Sequence, residues 1–361
     1  MRINFYKNWK RAIIDSNISL KKAIQNLNKT ALQICFVYKN DKFYGTLTDG
    51  DIRRGLIKGI ELNDKIDLIV NTKPNIILQK DLDKKIIVNR VFKKFNSNLI
   101  PIINSKKIIT DIFRNETLFQ SVKKLDYEMI IIAGGKGKRL MPLTKNTPKA
   151  LIKVSGKPIL ENIILKAKKE GIKNFSLVTF HMHNKIYKYF KDGKKLGVNI
   201  KYIREKSPLG TAGGITLLNS QKNRILIVTN CDIITNLNYM DVVNFHKTNK
   251  NKVTIASKFY ILSNPYGVIK LGNSNSVLRI DEKPSESNLI SAGVYVINSR
   301  ILSYFKKGQK IDMTDFINYL VKKNIKVGTC PIHENWTDIG SLTDLKKYRT
   351  EYNMKGLNNN N

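Results

Sequence analysis

Apolar positions along this chain recur with two periods, and the way those periods are arranged divides it in two. In residues 1–115, Leu20, Ala23, Ile24 and Leu27 fall at helical spacing, and Ile34-Cys35-Phe36-Val37-Tyr38 predicts a strand turned by Lys39-Asn40-Asp41. A weaker second pass repeats the unit: Val88, Val91 and Phe92 predict a helical face, and Leu99-Ile100-Pro101-Ile102-Ile103 a strand closed by Asn104-Ser105. Two copies are too few for a solenoid. After a polar connector, roughly Arg114 to Tyr127, strand and helix patterns alternate, with strands at 129–133, 174–180, 225–230, 253–258 and 291–297 and helices at 159–170, 184–191 and 212–219. That alternation predicts an α/β class with a mixed, mainly parallel sheet, preceded by a smaller α/β pair. The expected boundaries are 1–118 and 126–349, with 350–361, ending Gly-Leu-Asn-Asn-Asn-Asn, as a disordered tail.

Composition narrows the class. At 361 residues, 42% apolar and 25% charged, the chain can bury two ordinary cores. It has no apolar run of membrane-spanning length, and its basic start MRINFYKNWKR has no apolar segment behind it, so a cytoplasmic protein without a membrane partner is expected. Cys35, Cys231 and Cys330 are odd in number and widely spaced, which fits neither a disulfide framework nor a zinc site. The net charge of +36 comes mostly from Lys scattered along the whole chain, beside abundant Asn and Ile. Without an arginine-rich stripe, interleaved aromatics or a nucleic-acid motif, it implies a general attraction for phosphorylated anions and no nucleic-acid partner.

The candidate chemistry begins at residues 133–149, AGGKGKRLMPLTKNTPK, directly behind the apolar run Met129–Ile132. A dinucleotide fingerprint needs a third glycine where Leu140 stands, and a Walker loop needs Ser or Thr where Arg139 stands. The remaining pattern, G-G-x-G-x-R-L followed by P-L-T and P-K, resembles the sugar-1-phosphate nucleotidyltransferases, which implies a Rossmann-like sheet. Beyond Ala133, the glycines Gly134, Gly135 and Gly137 would let backbone amides approach a triphosphate. Arg139 would fork onto phosphate oxygens, and Lys149 would place a compact charge near the phosphorus under attack. A sugar phosphate is already anionic at neutral pH, so in-line attack on the α-phosphorus needs no general base, only positioning and charge neutralisation. Such chemistry wants Mg²⁺ on one or two carboxylates. Asp232, after the apolar strand 225–228, matches the family's first metal aspartate, and Asp338 in Asn335-Trp336-Thr337-Asp338-Ile339-Gly340 the second.

The same resemblance assigns the base and the sugar. YIREKSPLGTAGG, residues 202–214, matches the nucleobase loop through Gly210 and Thr211, with Glu205 where pyrimidine-using relatives carry glutamine. Guanine presents two adjacent donors that a carboxylate accepts together, so the expected nucleotide is GTP. Gly267, in Asn264-Pro265-Tyr266-Gly267-Val268, Glu282 and Lys283, in Glu282-Lys283-Pro284, and Gly293, in Ser291–Tyr295, match the sugar-phosphate segments, and Lys157 is expected to be structural. The match spans roughly 128–347 in the family's order. His181 and His183 lie at a strand end, where alternate residues face opposite ways, so a turn or substrate-edge role is expected rather than a metal site.

In the first region, residues 45–54 read GTLTDGDIRR. With the paired repeat over 8–112, this resembles a CBS domain pair, which implies an adenine or guanine nucleotide held by Thr48 and Asp51, and a homo-oligomer. In the second copy Asp111-Ile112-Phe113 follows Thr110 without the downstream Asp. The two-part arrangement is most similar to the glucosamine-1-phosphate guanylyltransferases of bacterial legionaminic acid synthesis. Mannose-1-phosphate and heptose-1-phosphate guanylyltransferases share the motifs, and uridylyl- or thymidylyltransferases are the alternative should Glu205 not read the base. A regulatory protein that senses nucleotide through its CBS pair is the non-enzyme alternative. No hexapeptide repeat follows residue 340, against the bifunctional acetyltransferase type.

Overall fold

The computed structural model describes residues 9–30, 32, 34–81, 99–114, 127–218 and 224–357. The chain divides into two units, Met1–Lys124 and Leu125–Asn361.

In the first unit, β1 (Ile13–Asp15), α1 (Leu20–Thr30), β2 (Ile34–Lys39), β3 (Lys42–Thr48) and α2 (Asp49–Ile57) are followed by β4 (Ile77–Leu78), β5 (Leu99–Ile103) and β6 (Ile109–Arg114). They make two three-stranded sheets, β1-β2-β3 and β4-β5-β6, each with one parallel and one antiparallel pair in the same order. Phe36 and Ile34 pack with Leu99, Ile103 and Ile112 in one shared core, which is why both apolar runs read as near-continuous. The helical face expected at Val88, Val91 and Phe92 lies outside the described residues.

The second unit opens with β7 (Glu128–Ile132) and continues through the short strands β8 (Lys153–Val154) and β9 (Lys157–Pro158), α3 (Ile159–Lys169), β10 (Asn174–Thr179), α4 (His183–Phe190) and β11 (Asn199–Arg204). A short helix α5 (Gly210–Gly213) runs into a 3-10 turn at Gly214–Leu217, so the helix expected over 212–219 is instead a tight two-part turn built on three glycines. Then follow β12 (Ile225–Asn230), β13 (Ile233–Thr235), α6 (Tyr239–Thr248), β14 (Val253–Ser263), β15 (Val268–Leu271), β16 (Val277–Asp281), β17 (Ser285–Asn298), α7 (Met313–Lys322), β18 (Val327–Ile332), β19 (Trp336–Asp338) and α8 (Leu342–Leu357). Helix α8 passes residue 350, so a helix stands over 350–357 where the disordered tail was expected; residues 358–361 lie outside the described residues.

Seven strands form the central sheet in the order β11-β10-β7-β12-β17-β14-β18. β11, β10, β7 and β12 are mutually parallel, β17 runs antiparallel to both its neighbours, and β14 and β18 are parallel. The sheet is therefore mixed and mainly parallel. Side-chain alternation explains the two apolar layers: Met129, Ile131 and Ile227 enter one core, while Ile130, Leu226 and Val228 enter the other. The parallel strands end on one edge, since Ile132 registers with both Val178 and Asn230, and Thr179 with Arg204. The segments after Ile132, Thr179, Arg204 and Asn230 therefore meet there, the position at which open α/β sheets bind ligands.

Strands β14 and β17 run longer than the 253–258 and 291–297 expected, continuing as a ribbon through Ser263 and from Ser285. Their outer halves are exposed, so burial leaves no apolar alternation there to mark them as strands.

Candidate active site

The loop after β7 holds its shape through specific close contacts. Gly137 has φ +63°, and a Cβ there would stand 2.9 Å from Thr144 Cγ2 and 3.2 Å from Lys149 Cβ. The Thr144 hydroxyl donates to the Gly137 carbonyl at 2.9 Å, tying the two ends of the loop together. At Gly135 an added Cβ would meet nothing within 4 Å, so its side lies open toward the cleft. Gly134 faces the other way, and its Cβ would stand 3.0 Å from Glu205 Oε2.

A cleft of about 370 Å³ opens at this edge of the sheet. Gly135, Gly137, Arg139, Lys149, Thr211, Asp232 and Asp338 all line it, so residues far apart along the chain converge. The pairing of β13 with β19 places the two aspartates: Ile233 registers with Asp338, and the Ile339 amide donates to the Asp232 carbonyl at 2.9 Å. Lys149 is buried and forms an ion pair with Asp232 Oδ2. Asp232 Oδ1 and Asp338 Oδ1 are buried and have no hydrogen-bond partner. Burial, and then the charge of Asp232, push the Asp338 carboxyl above its ordinary pKa, while Lys149 and Arg139 pull it back. Two adjacent carboxylates with free buried oxygens fit a hard divalent cation, which would supply them the ligand they lack.

Beside the glycine loop stand Glu205 and the turn after it. Glu205 follows β11, its amide donates to the Thr179 carbonyl at 2.9 Å, and it is 6% exposed, so it is no surface acid. Its carboxylate lies between two glycines, with added Cβ atoms at Gly134 and Gly214 reaching 3.0 Å from Oε2 and 2.9 Å from Oε1. Oε1 has no hydrogen-bond partner. Burial pushes the carboxyl up to about 7, opposed by a hydrogen bond from the Leu209 amide.

Against residues 128–355 the family model described as nucleotidyl transferase matches. The chain belongs to the nucleotidyl transferase family. A D-glycero-alpha-D-manno-heptose 1-phosphate guanylyltransferase of Campylobacter jejuni is 32% identical over 219 residues, covering 60% of this chain and 96% of that protein. The bifunctional protein GlmU of Methanococcus aeolicus is 33% identical over 227 residues, covering 60% of this chain and 52% of GlmU, so the chain spans about half the length of that relative. A mannose-1-phosphate guanylyltransferase of Mycobacterium tuberculosis is 26% identical over 226 residues, covering 60% and 62%. A Bacillus anthracis structure named for glucose-1-phosphate thymidylyltransferase shares the fold, with a TM-score of 0.51 and 24% identity over 62% of this chain and 94% of that one.

In this nucleotidyl transferase, several residues that hold the site were not apparent in the sequence. Gly340 lies flat against Arg139, where a Cβ would stand 3.1 Å from the guanidinium. Asp312, just before α7, accepts from both the amide and the hydroxyl of Thr211, at 2.9 and 3.2 Å. The Met313 amide donates back to the Thr211 hydroxyl at 2.8 Å, and Gly210, at φ +82°, has the Ile311 carbonyl 2.6 Å from where a Cβ would be. An Asp before a helix reads in sequence as a cap, yet here its side chain pins the turn a hundred residues upstream. Asn230 and Cys231 also line the cleft, and burial pushes the Cys231 thiol up to about 12, which leaves it un-ionised.

Other expected residues lie elsewhere. Gly267, Glu282 and Lys283 do not line the cleft; they are exposed on the arm that continues β14 and β17. Gly293, at φ +69°, backs onto the cleft residue Asn230, whose Nδ2 would be 3.1 Å from a Cβ there. Lys157 pairs with Glu161 at 3.7 Å on α3. His181 lies in a turn, and His183 starts α4, with Nδ1 2.8 Å from the Thr179 hydroxyl and its ring stacked on Tyr187. In the first unit, Thr48 and Asp51 satisfy each other in a capping box: the Thr48 amide and hydroxyl donate to Asp51 Oδ2 at 2.9 and 2.6 Å, and the Asp51 amide donates to the Thr48 hydroxyl oxygen at 3.4 Å. No helix among the described residues is long and apolar enough to cross a membrane.

Proposed function

We propose that this enzyme transfers GMP from GTP to a sugar 1-phosphate, giving a GDP-sugar and pyrophosphate. The observation that carries the choice of GTP is the Glu205 carboxylate, buried between Gly134 and Gly214 with Oε1 unpartnered. An unpaired buried carboxylate is costly, and the adjacent ring N–H and exocyclic amine of guanine offer the two donors that would relieve it. A pyrimidine presents an acceptor in one of those positions. Guanylyltransferases among the relatives support the same base.

The site's residues divide the work by charge. The amides around Gly135 and Gly137 cradle the triphosphate, Arg139 braced on Gly340 binds its oxygens, and Lys149 stands at the α-phosphate. An oxygen of the sugar phosphate attacks the α-phosphorus, the bond to the β-phosphate oxygen breaks, and pyrophosphate leaves with that electron pair. Asp232 and Asp338 would hold Mg²⁺, which supplies neutralising charge for the anions brought together. Lys149, engaged with Asp232 in the free protein, is then available to phosphate. The convergence of both carboxylates and both cations in one cleft supports an enzyme over a regulatory scaffold.

Glucosamine 1-phosphate is the first sugar proposed, on the two-part resemblance to the enzymes of legionaminic acid synthesis, with mannose and heptose 1-phosphates next. Pyrophosphate release with each nucleoside triphosphate, Mg²⁺ and a panel of these sugar phosphates tests the reading. GTP is expected to exceed UTP and dTTP, and Glu205→Gln to narrow or reverse that preference. Faster turnover with UTP or dTTP by the unaltered enzyme overturns the base assignment, and no release with any pair overturns the function.

A further inference from the structure

The arm beyond the central sheet shows solvent an apolar face. β15 and β16 pair antiparallel with Ile269 opposite Ile280 and Leu271 opposite Val277, and Leu278 is the extra residue at the bulge. Opposed residues share a face of a hairpin. Ile269, Leu271, Val277 and Ile280 therefore form one aliphatic face, and they are 55, 61, 57 and 61% exposed. Lys270, Arg279 and Asp281 occupy the other face together with Val268. The hairpin is amphipathic, as if half of a packed layer were missing.

Two further observations set this region apart. Of the twenty-one large apolar side chains exposed among the described residues, ten fall between Tyr260 and Leu289. Over residues 259–290, Lys270, Arg279 and Lys283 are matched by Asp281, Glu282 and Glu286, so the arm has no net charge in a chain of +36. A two-stranded hairpin is marginal in water until something packs on its apolar face.

We propose that the arm is a self-association surface, through which two copies of this chain pair by burying the aliphatic face of β15–β16 against its twofold mate. An isologous contact needs a patch that complements itself, and an aliphatic face does so without opposed charges. Two chains of +36 repel over most of their surfaces, and the neutral arm is where approach costs least. An anionic lipid surface would favour a lysine-rich arm, whereas here the chain's lysine excess is absent. Glu282 Oε2 stands 3.1 Å from where a Gly267 Cβ would be, so the hairpin is closed at its base by two residues expected to meet the sugar. Pairing would thus steady the sugar segment as well. That consequence rests on the sugar-1-phosphate reading, whereas a mass measurement does not.

Sedimentation equilibrium of the whole chain tests the proposal. A species of twice the 41.4 kDa chain mass is expected, tightening as salt is raised because screening removes repulsion. The double substitution Leu271→Lys and Val277→Lys, at positions already exposed, is expected to weaken the dimer about 30-fold or more with an unchanged far-ultraviolet circular dichroism spectrum. Val277→Cys provides a second reading. Cys35, Cys231 and Cys330 are buried, so mild oxidation is expected to give a covalent dimer through the new thiol, and Ile57→Cys is expected to give none. A monomer at every concentration, a dimer indifferent to the double substitution, or no cross-link through Val277→Cys would overturn the proposal. Sedimentation with phosphatidylserine vesicles that the double substitution abolishes would overturn it in favour of a membrane contact.

Discussion

Two aspartates of this chain follow a strand and face a helix or turn, and they end in opposite chemical states. Asp51 is spent: Thr48 donates to it from amide and hydroxyl, and Arg54 adds an ion pair. Asp232 is left open, with one oxygen on Lys149 and the other buried without a partner next to an equally unsatisfied Asp338. A satisfied carboxylate stabilises its helix, whereas a buried oxygen without a donor is a standing cost that a cation or ligand removes. The difference teaches that Asp-bearing motifs are sorted by what remains unpaired after folding.

The sharpest way to break that comparison is to neutralise the open member. Asp232→Asn is expected to lower turnover about 10³-fold with the fold intact by circular dichroism, because on the proposed reading its open oxygen serves the reacting charges. A thermal midpoint that falls with a nearly unchanged rate would instead put Asp232 in the same class as Asp51. Lys149→Ala is expected to cost turnover about 10²–10³-fold, and to leave Asp232 and Asp338 facing each other, so that isothermal titration shows tighter Mg²⁺ binding despite the slower reaction.

Glu205 sharpens the comparison through pH. On the proposed reading its carboxyl, raised to about 7 by burial, must be ionised to accept from guanine, so the KM for GTP is expected to fall as pH rises through about 7, and Glu205→Gln to flatten that profile. Stability moves the opposite way. A raised folded pKa makes the contribution of Glu205 fully present below its unfolded value and lost as pH climbs through about 7, so the unliganded protein is expected to melt lower at the alkaline end, and GTP to restore part of the difference.

Smaller effects follow from the backbone and the cap. Gly137→Ala meets both a left-handed φ and Thr144, so a loss of about 1–3 kcal/mol in the second unit is expected by denaturant titration. Thr48→Ala removes the cap of α2 at about 1 kcal/mol, read as a lower midpoint for the first unit with less change in turnover than any substitution above.

The sheet and its order of elements were largely legible because strands such as Met129–Ile132 and Ile225–Val228 are apolar on both faces, and their alternation with helices leaves few topologies. The glycine loop was legible for a local reason: Gly137 must adopt φ +63° beneath Thr144, and that demand is met within one short stretch of chain. The outer arm was not, since Tyr260–Leu262 and Ile269–Ile280 show burial on neither face. Nor was Asp312, whose neighbours in sequence indicate a cap while its carboxylate holds Thr211.

By itself the sequence determined the class of fold, the loop's backbone requirements and the residue types available for phosphate chemistry, because propensity, periodicity and glycine sterics act over a few residues. Only the tertiary structure decided which charges would face one another: the β13–β19 pairing that sets Asp338 beside Asp232, the flat Gly340 that admits Arg139, and the glycine walls that bury Glu205. Those outcomes depend on distances between segments far apart along the chain, and electrostatic and packing energies follow separation in space.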